Sequence, residues 1–240
     1  MELFLQPEAW LALLTLTFME IVLGIDNIVF ISLVTNKLPE TNREKARFIG
    51  ISLALIVRIF MLLGISYLIG FTQPIITLGN FSLSGRDLIL GIGGIFLLAK
   101  STSEIHTKIE GDQHEHTTPA KSKFGSVVFQ IILLDIIFSF DSILTAVGLT
   151  EHLILMIIAI IISMIIMMVF AGKISQIIEK YPTLQILALS FLILIGFMLV
   201  IEGLHFHIPK GYIYFAMFFS LGVELINIKV RRKEFNKNKK

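Results

Sequence analysis

Read for hydrophobic and polar positions, the chain alternates long apolar runs with short polar connections. Seven runs stand out, at residues 9–34, 48–71, 75–99, 124–149, 153–172, 184–204 and 212–230. Each approaches the ~20 residues with which a helix crosses a hydrocarbon core of about 30 Å. The pattern predicts an all-α membrane protein with seven transmembrane helices. The third run is interrupted by Asn80, Ser84, Gly85, Arg86 and Asp87. There the expectation is a short interfacial or re-entrant piece, with the span proper from Leu88. The first run is too long for a signal peptide and lacks both a basic leading region and a small-residue cleavage site.

Composition strengthens this reading. Hydrophobic residues make up 55% of the chain, charged residues only 16%, and the mean hydropathy is +0.85, far from an average soluble domain. There are no cysteines, so neither a disulfide framework nor a thiolate metal site is available. The whole chain, 1–240, reads as one membrane domain. Charge then sets its orientation. Lysines and arginines crowd the connections after the first, third and fifth runs and the basic tail at 231–240. The opposite side carries only Arg86 and Lys210, and Arg58 lies within a span. Basic residues stay on the cytoplasmic side, which places the N-terminus outside and the C-terminus in the cytoplasm of a bacterial inner membrane. The net charge of +2 therefore reports topology and not nucleic-acid binding.

Against this apolar background two acids stand out in MEIVLGIDNIVFIS, residues 19–32, which carries Glu20, Asp26 and Asn27. The pattern recurs in LDIIFSFDSILTAV, residues 134–147. Overlaid, Glu20 falls on Asp135, Gly24 on Ser139, Asp26 on Asp141 and Asn27 on Ser142. A weaker match puts Gly94 on Gly196 and Lys100 on Glu202. Residues 9–99 and 124–204 thus look like two copies of one three-helix unit, joined by a cytoplasmic linker at 100–123, with a seventh helix added at 212–230. An odd number of spans per copy makes the repeats inverted, the architecture in which secondary transporters hold their substrate near the membrane midplane.

Positions six apart are rotated by about 240° on a straight helix, so the acids of each pair share a face only if the helix breaks. Either the two acids face different neighbours inside the bundle or the helix is broken at Gly24 and at Ser139, and the break is the expectation. Counting ~1.5 Å per residue puts Glu20 roughly 17 Å and Asp26 roughly 25 Å from the outer end of their span. Antiparallel helices would then pair Asp141 with Glu20 and Asp135 with Asp26, as two stacked tiers. Each intramembrane acid costs about 2.5–3.5 kcal/mol on insertion scales, so the set needs cations, protons or water. Carboxylate, amide and hydroxyl oxygens suit hard divalent ions such as Mn²⁺, Mg²⁺ or Ca²⁺. No histidine lies within a span near these acids, which argues against Zn²⁺.

With seven spans, E-x5-D-N, D-x5-D-S and a Lys/Glu position late in the third and sixth spans, the chain resembles the TerC family of integral membrane proteins. That family is named for tellurium resistance and includes bacterial manganese exporters. The resemblance covers the chain from Trp10 to the basic tail. It implies Mn²⁺ efflux, with Glu20, Asp26, Asn27, Asp135, Asp141 and Ser142 as the matching metal-site positions and the ion as cargo, with no permanently bound cofactor.

The remaining polar positions leave alternatives open. Arg58 is a counter-charge or gate for the acids, or simply a partner that lets the bundle assemble. Lys100 and Glu202 lie near span ends, where long side chains reach the interface. In the third connection His106, His114 and His116, with Asp112 and Glu115, read as a linker more readily than as a metal trap. His205 and His207 read as interface residues. Gly91, Gly93 and Gly94 read as small residues for close helix packing. Three functions compete. The first is a transporter coupled to protons, with the lipid bilayer as its setting. The second is a partner-dependent factor delivering Mn²⁺ to exported proteins. The third is an intramembrane aspartyl protease using Asp26 and Asp141.

Overall fold

The structure is a computed structural model that describes residues 5–78, 81–110, 123–150 and 152–237. The first span is interrupted, as α1 (Pro7–Leu23) and α2 (Ile25–Thr35). The second is α3 (Glu40–Leu63), extended by a short α4 (Ile65–Gly70). Strands β1 (Pro74–Leu78) and β2 (Phe81–Ser84) follow, then α5 (Gly85–Glu110), α6 (Phe124–Leu149), α7 (Leu153–Lys180), α8 (Pro182–Gly203) and α9 (Lys210–Lys237). Among the described residues, seven helical spans are long and apolar enough to cross a membrane. The chain is a seven-helix membrane protein.

Proline sets several boundaries. Pro7 and Pro182 sit in the first turn of α1 and α8, and Pro39 precedes α3, positions where a missing N–H costs nothing. Pro74 instead opens a strand, and Pro74, Ile76 and Thr77 pair with Ser84, Leu83 and Ser82 in an antiparallel hairpin whose register shifts at Ile75. The fold is all-α as expected, with one small β element among the described residues; the interruption of the third run is this hairpin, and the span starts at Gly85, three residues before the expected Leu88. β-branched side chains favour the extended backbone, and proline cannot sit inside a helix.

Several helices overshoot their apolar runs. α5 continues through Glu110 and α7 through Lys180, so the expected linker at 100–123 begins as helix. Hydropathy measures the lipid-facing length, whereas a helix ladder persists into water wherever its backbone bonds hold.

The most extensive packing is α5 on α8, followed by α3 on α6 and α1 on α7, while α9 packs mainly on α8. The α5–α8 seam is a backbone contact. A Cβ on Gly94 would lie 2.5 Å from the carbonyl oxygen of Gly196, and one on Gly196 would lie 2.9 Å from that of Gly94. In lipid, where no hydrophobic force draws helices together, such close approach is what holds them. Gly93 plays the same part against Ile137 of α6. Gly196→Leu is therefore expected to lower the unfolding free energy of detergent-solubilised protein by about 1–3 kcal/mol through overpacking. An unchanged denaturation curve would show that the seam can open at no cost.

Candidate intramembrane charge network

Gly24 makes the first expected break, and the local packing shows why only glycine fits. A Cβ there would lie 2.9 Å from the Glu20 carbonyl oxygen and would press on the Met167 sulfur. The break is one tight turn: the Gly24 N–H donates to Ile21 O, and the Gly24 carbonyl accepts from the Ile28 N–H, both at 3.1 Å. It places Asp26 in the first turn of α2, where the helix dipole favours an anion. The second expected break is absent, because α6 runs uninterrupted through Ser139. Ser139 folds its hydroxyl back onto the carbonyl of Asp135, a bond that serine makes within an intact helix.

Glu20, Asp26, Asn27, Asp135 and Ser142 are all buried, and Arg58 of α3 is only 2% exposed. The Arg58 guanidinium bridges two of the acids. Nη1 donates to Glu20 Oε2 at 2.7 Å and Nη2 to Asp135 Oδ1 at 2.7 Å. Asn27 Nδ2 donates to the same Asp135 oxygen at 3.3 Å, and the Ser139 hydroxyl reaches Asp135 Oδ2 at 3.1 Å. Among the described residues, Asn27 Oδ1 and Arg58 Nε in this cluster, and Asp26 Oδ1 elsewhere on α2, are buried without a hydrogen-bond partner.

The two expected tiers are corrected by this bridge. Glu20 and Asp135 share one guanidinium, so they lie together. Both acids also fall near the middle of their spans, Pro7–Thr35 and Phe124–Leu149.

Asp141 belongs to a second cluster. Its Oδ1 accepts from Arg86 Nη2 at 2.7 Å, and its Oδ2 accepts from Lys210 Nζ. The same Arg86 nitrogen donates to Glu202 Oε1 at 2.6 Å. These groups line a cleft of about 470 Å³ together with Thr145, His205 and His207. Beside it, the buried Asp87 Oδ2 accepts from the Ser84 N–H at 2.8 Å and its hydroxyl at 2.6 Å, and lies 2.8 Å from His205 Nε2. His205 thus ties the α8–α9 connection to the start of α5, more than the interface role expected of it. His205 adopts φ 67°, a left-handed conformation uncommon outside glycine and small polar residues.

At the other end of the bundle Glu104 holds both Lys37 and, at 3.2 Å, Lys100. Burial pushes the Lys37 ammonium pKa down, and Glu104 works against that shift. The space beside this cluster, lined by Phe30, Val34, Ser101 and Leu192, amounts to about 10 Å³. Lys100 and Glu202 thus close opposite ends of the bundle in ion pairs.

Of the six expected metal-site residues, Glu20, Asn27 and Asp135 meet at Arg58 and Asp141 lies in the second cluster. The Ser142 hydroxyl instead bonds the Ser139 carbonyl, and Asp26 joins neither set of bonds among the described residues. Among those residues no group of three or more His, Asp or Glu side chains is arranged to hold a metal. His106 is exposed and pairs with Glu110 at 3.2 Å. His114 and His116, with Asp112 and Glu115, lie outside the described residues. Sequence reading passed over Arg86 and Lys210 as partners of Asp141. The signal was present, since they are the two basic residues on the side otherwise free of them.

Comparison with known proteins agrees over the full length. The profile of the integral membrane protein TerC family matches residues 5–240. A "UPF0053 protein" of Haemophilus influenzae is 49% identical over 233 residues, covering 96% of this chain and 98% of its own. The "UPF0053 inner membrane protein YgdQ" of Escherichia coli K12 is 50% identical over 228 residues, covering 95% of each. The "UPF0053 inner membrane protein YoaE" of the same strain is 46% identical over 233 residues, which span 97% of this chain but 45% of that longer protein. No solved structure matches the chain.

Proposed function

The chain belongs to the TerC family of integral membrane proteins, and from that premise we propose that it is a secondary transporter exporting a divalent cation, Mn²⁺ before Ca²⁺ or Mg²⁺. The observation that carries this reading is the acid set itself. Glu20, Asp26 and Asp135 are buried within membrane-spanning helices, where ionisable side chains mark ion pathways. Asp141 continues the set into an open cleft. Besides the Arg58 guanidinium, the side chains that bond the central pair are those of Asn27 and Ser139, whose oxygens suit a hard cation.

Several features support the rest of the proposal. Exchanging the first three spans for the next three turns the α1–α7 contact into α6–α3 and maps α5–α8 onto itself, as a duplicated, inverted unit requires. The basic residues place the N-terminus outside and the tail in the cytoplasm, and relatives are named inner membrane proteins. On that orientation the cleft at Asp141 faces outward and the Lys37–Glu104–Lys100 cluster closes the cytoplasmic end. The chain has no G-x-x-x-x-G-K-[ST] motif, so a gradient drives transport, and protons that neutralise the acids are the natural counter-ion. The protease alternative fits poorly: both Asp141 oxygens are engaged by cations, whereas an aspartyl dyad shares a proton between its carboxyls.

Mn²⁺ flux into proteoliposomes tests the reading, with Ca²⁺, Mg²⁺ and Zn²⁺ as competitors. Wild type is expected to carry Mn²⁺, and Asp26→Asn and Asp141→Asn to fall to the level of empty liposomes. Folded wild-type protein that moves no cation under any imposed gradient would remove the transporter reading.

A further inference from the structure

Arg58 does more than the exporter reading asks of it. It comes from α3, whereas the acids it bridges come from α1 and α6, so it can leave both without either acid-bearing helix moving. Its two terminal nitrogens take one oxygen from each of two carboxylates, the position a bridging cation would take. The fit is incomplete on both sides. Among the described residues Arg58 Nε is buried without an acceptor, while Oδ1 of Asn27, whose amide bonds Asp135, is buried without a donor. A guanidinium supplies donors in a fixed planar fork and cannot turn toward that oxygen. A metal ion that gathers six or more oxygens has no such restriction.

Resting on the exporter reading, we infer that Arg58 is a tethered substitute for the transported cation. Its guanidinium fills the position between Glu20 and Asp135 when no metal is there, and guanidinium and metal exclude one another. Two buried carboxylates facing each other with no cation between them are strongly unfavourable, so without a substitute the empty carrier would be penalised on its return. Arg58 neutralises one of the two charges and leaves a net negative position that a divalent ion can still win. Affinity is thereby held low enough for release, and turnover becomes an exchange between a fixed cation and a mobile one.

Mn²⁺ binding by cation-depleted protein in nanodiscs tests this directly, with proteoliposome flux measured alongside. Arg58→Gln is expected to bind Mn²⁺ tighter by on the order of 10-fold and to lose flux, because the competitor is gone while both acids remain. Arg58→Lys keeps the charge but cannot span two carboxylates, and its affinity should fall between wild type and Arg58→Gln. If Arg58→Gln folds poorly, Arg58→Lys alone still decides the matter, as does a Mn²⁺-dependent rise in the thermal stability of Arg58→Gln that exceeds the wild-type rise. Unchanged or weaker affinity in the folded variants, beside a wild type that still carries Mn²⁺, would overturn the substitute role and leave export standing. Wild type that neither binds nor carries Mn²⁺ would overturn both.

Discussion

Asp135→Ala protein is expected to lose about 3–5 kcal/mol of stability, the scale of breaking a buried ion pair by removing one partner. Among the acids of the bundle this is the position with most to lose. Asp135 accepts from Arg58, Asn27 and Ser139, whereas Glu20 is held by Arg58 alone among the described residues. Removing Asp135 leaves a buried guanidinium with one anion and strands the Asn27 amide. Denaturation of the detergent-solubilised protein measures the loss. The triple variant Glu20→Met/Asp135→Ala/Arg58→Met should recover much of it, since apolar replacement of a whole buried ion set is often close to neutral. If the triple variant is as unstable as the single, the penalty comes from a cavity on α6 and not from the orphaned charge.

The second large effect concerns access. Because the chain has no cysteine, a single introduced thiol is the only one present. Thr145 is exposed in the cleft beside Asp141, whereas Ser101 is 1% exposed beneath the Lys37–Glu104–Lys100 cluster. Thr145→Cys should react readily with a membrane-impermeant thiol reagent. Ser101→Cys should react slower by about 10- to 1,000-fold, the range set by a minor open state populated at 0.1–10%. Adding Lys37→Ala removes one of the two cations on Glu104 and should bring the Ser101→Cys rate up. Sealed vesicles of known orientation report the side as well. Equal rates at the two positions would mean that the cluster closes nothing.

Much of this fold could be read from the sequence because lipid imposes its thickness on it. The run at 124–149 is α6 to the residue. The polar extensions of α3, α5 and α7 were not legible, since hydropathy falls at the headgroups while the hydrogen-bond ladder does not stop there. The hairpin at 74–84 was hidden in an apolar run whose β-branched residues suit strand and span alike. For the charge network, duplication exposed the acids, because two unlike residue types at matching spacing rarely recur by chance. Their partners were less visible. Which acids Arg58 reaches depends on how α3 packs on α1 and α6, a contact that no spacing within one helix encodes. Ser139 was misread as a break by its alignment with Gly24, although a hydroxyl can bond its own helix and a missing side chain cannot.

The ion pairs also constrain how the chain can be made. Arg58 is 38 residues from Glu20 but 77 from Asp135, and Arg86 is 55 residues from Asp141 and 116 from Glu202. During synthesis Glu20 and Arg58 can meet as soon as the second span is threaded, whereas Arg86 must wait for the fourth and sixth. The later acids Asp135, Asp141 and Glu202 find their bonded cations in the earlier half or in α9. Neither copy of the repeated unit therefore holds a neutral set of its own. Gene duplication supplied two similar halves, but split expression of those halves should yield fragments that assemble only with each other.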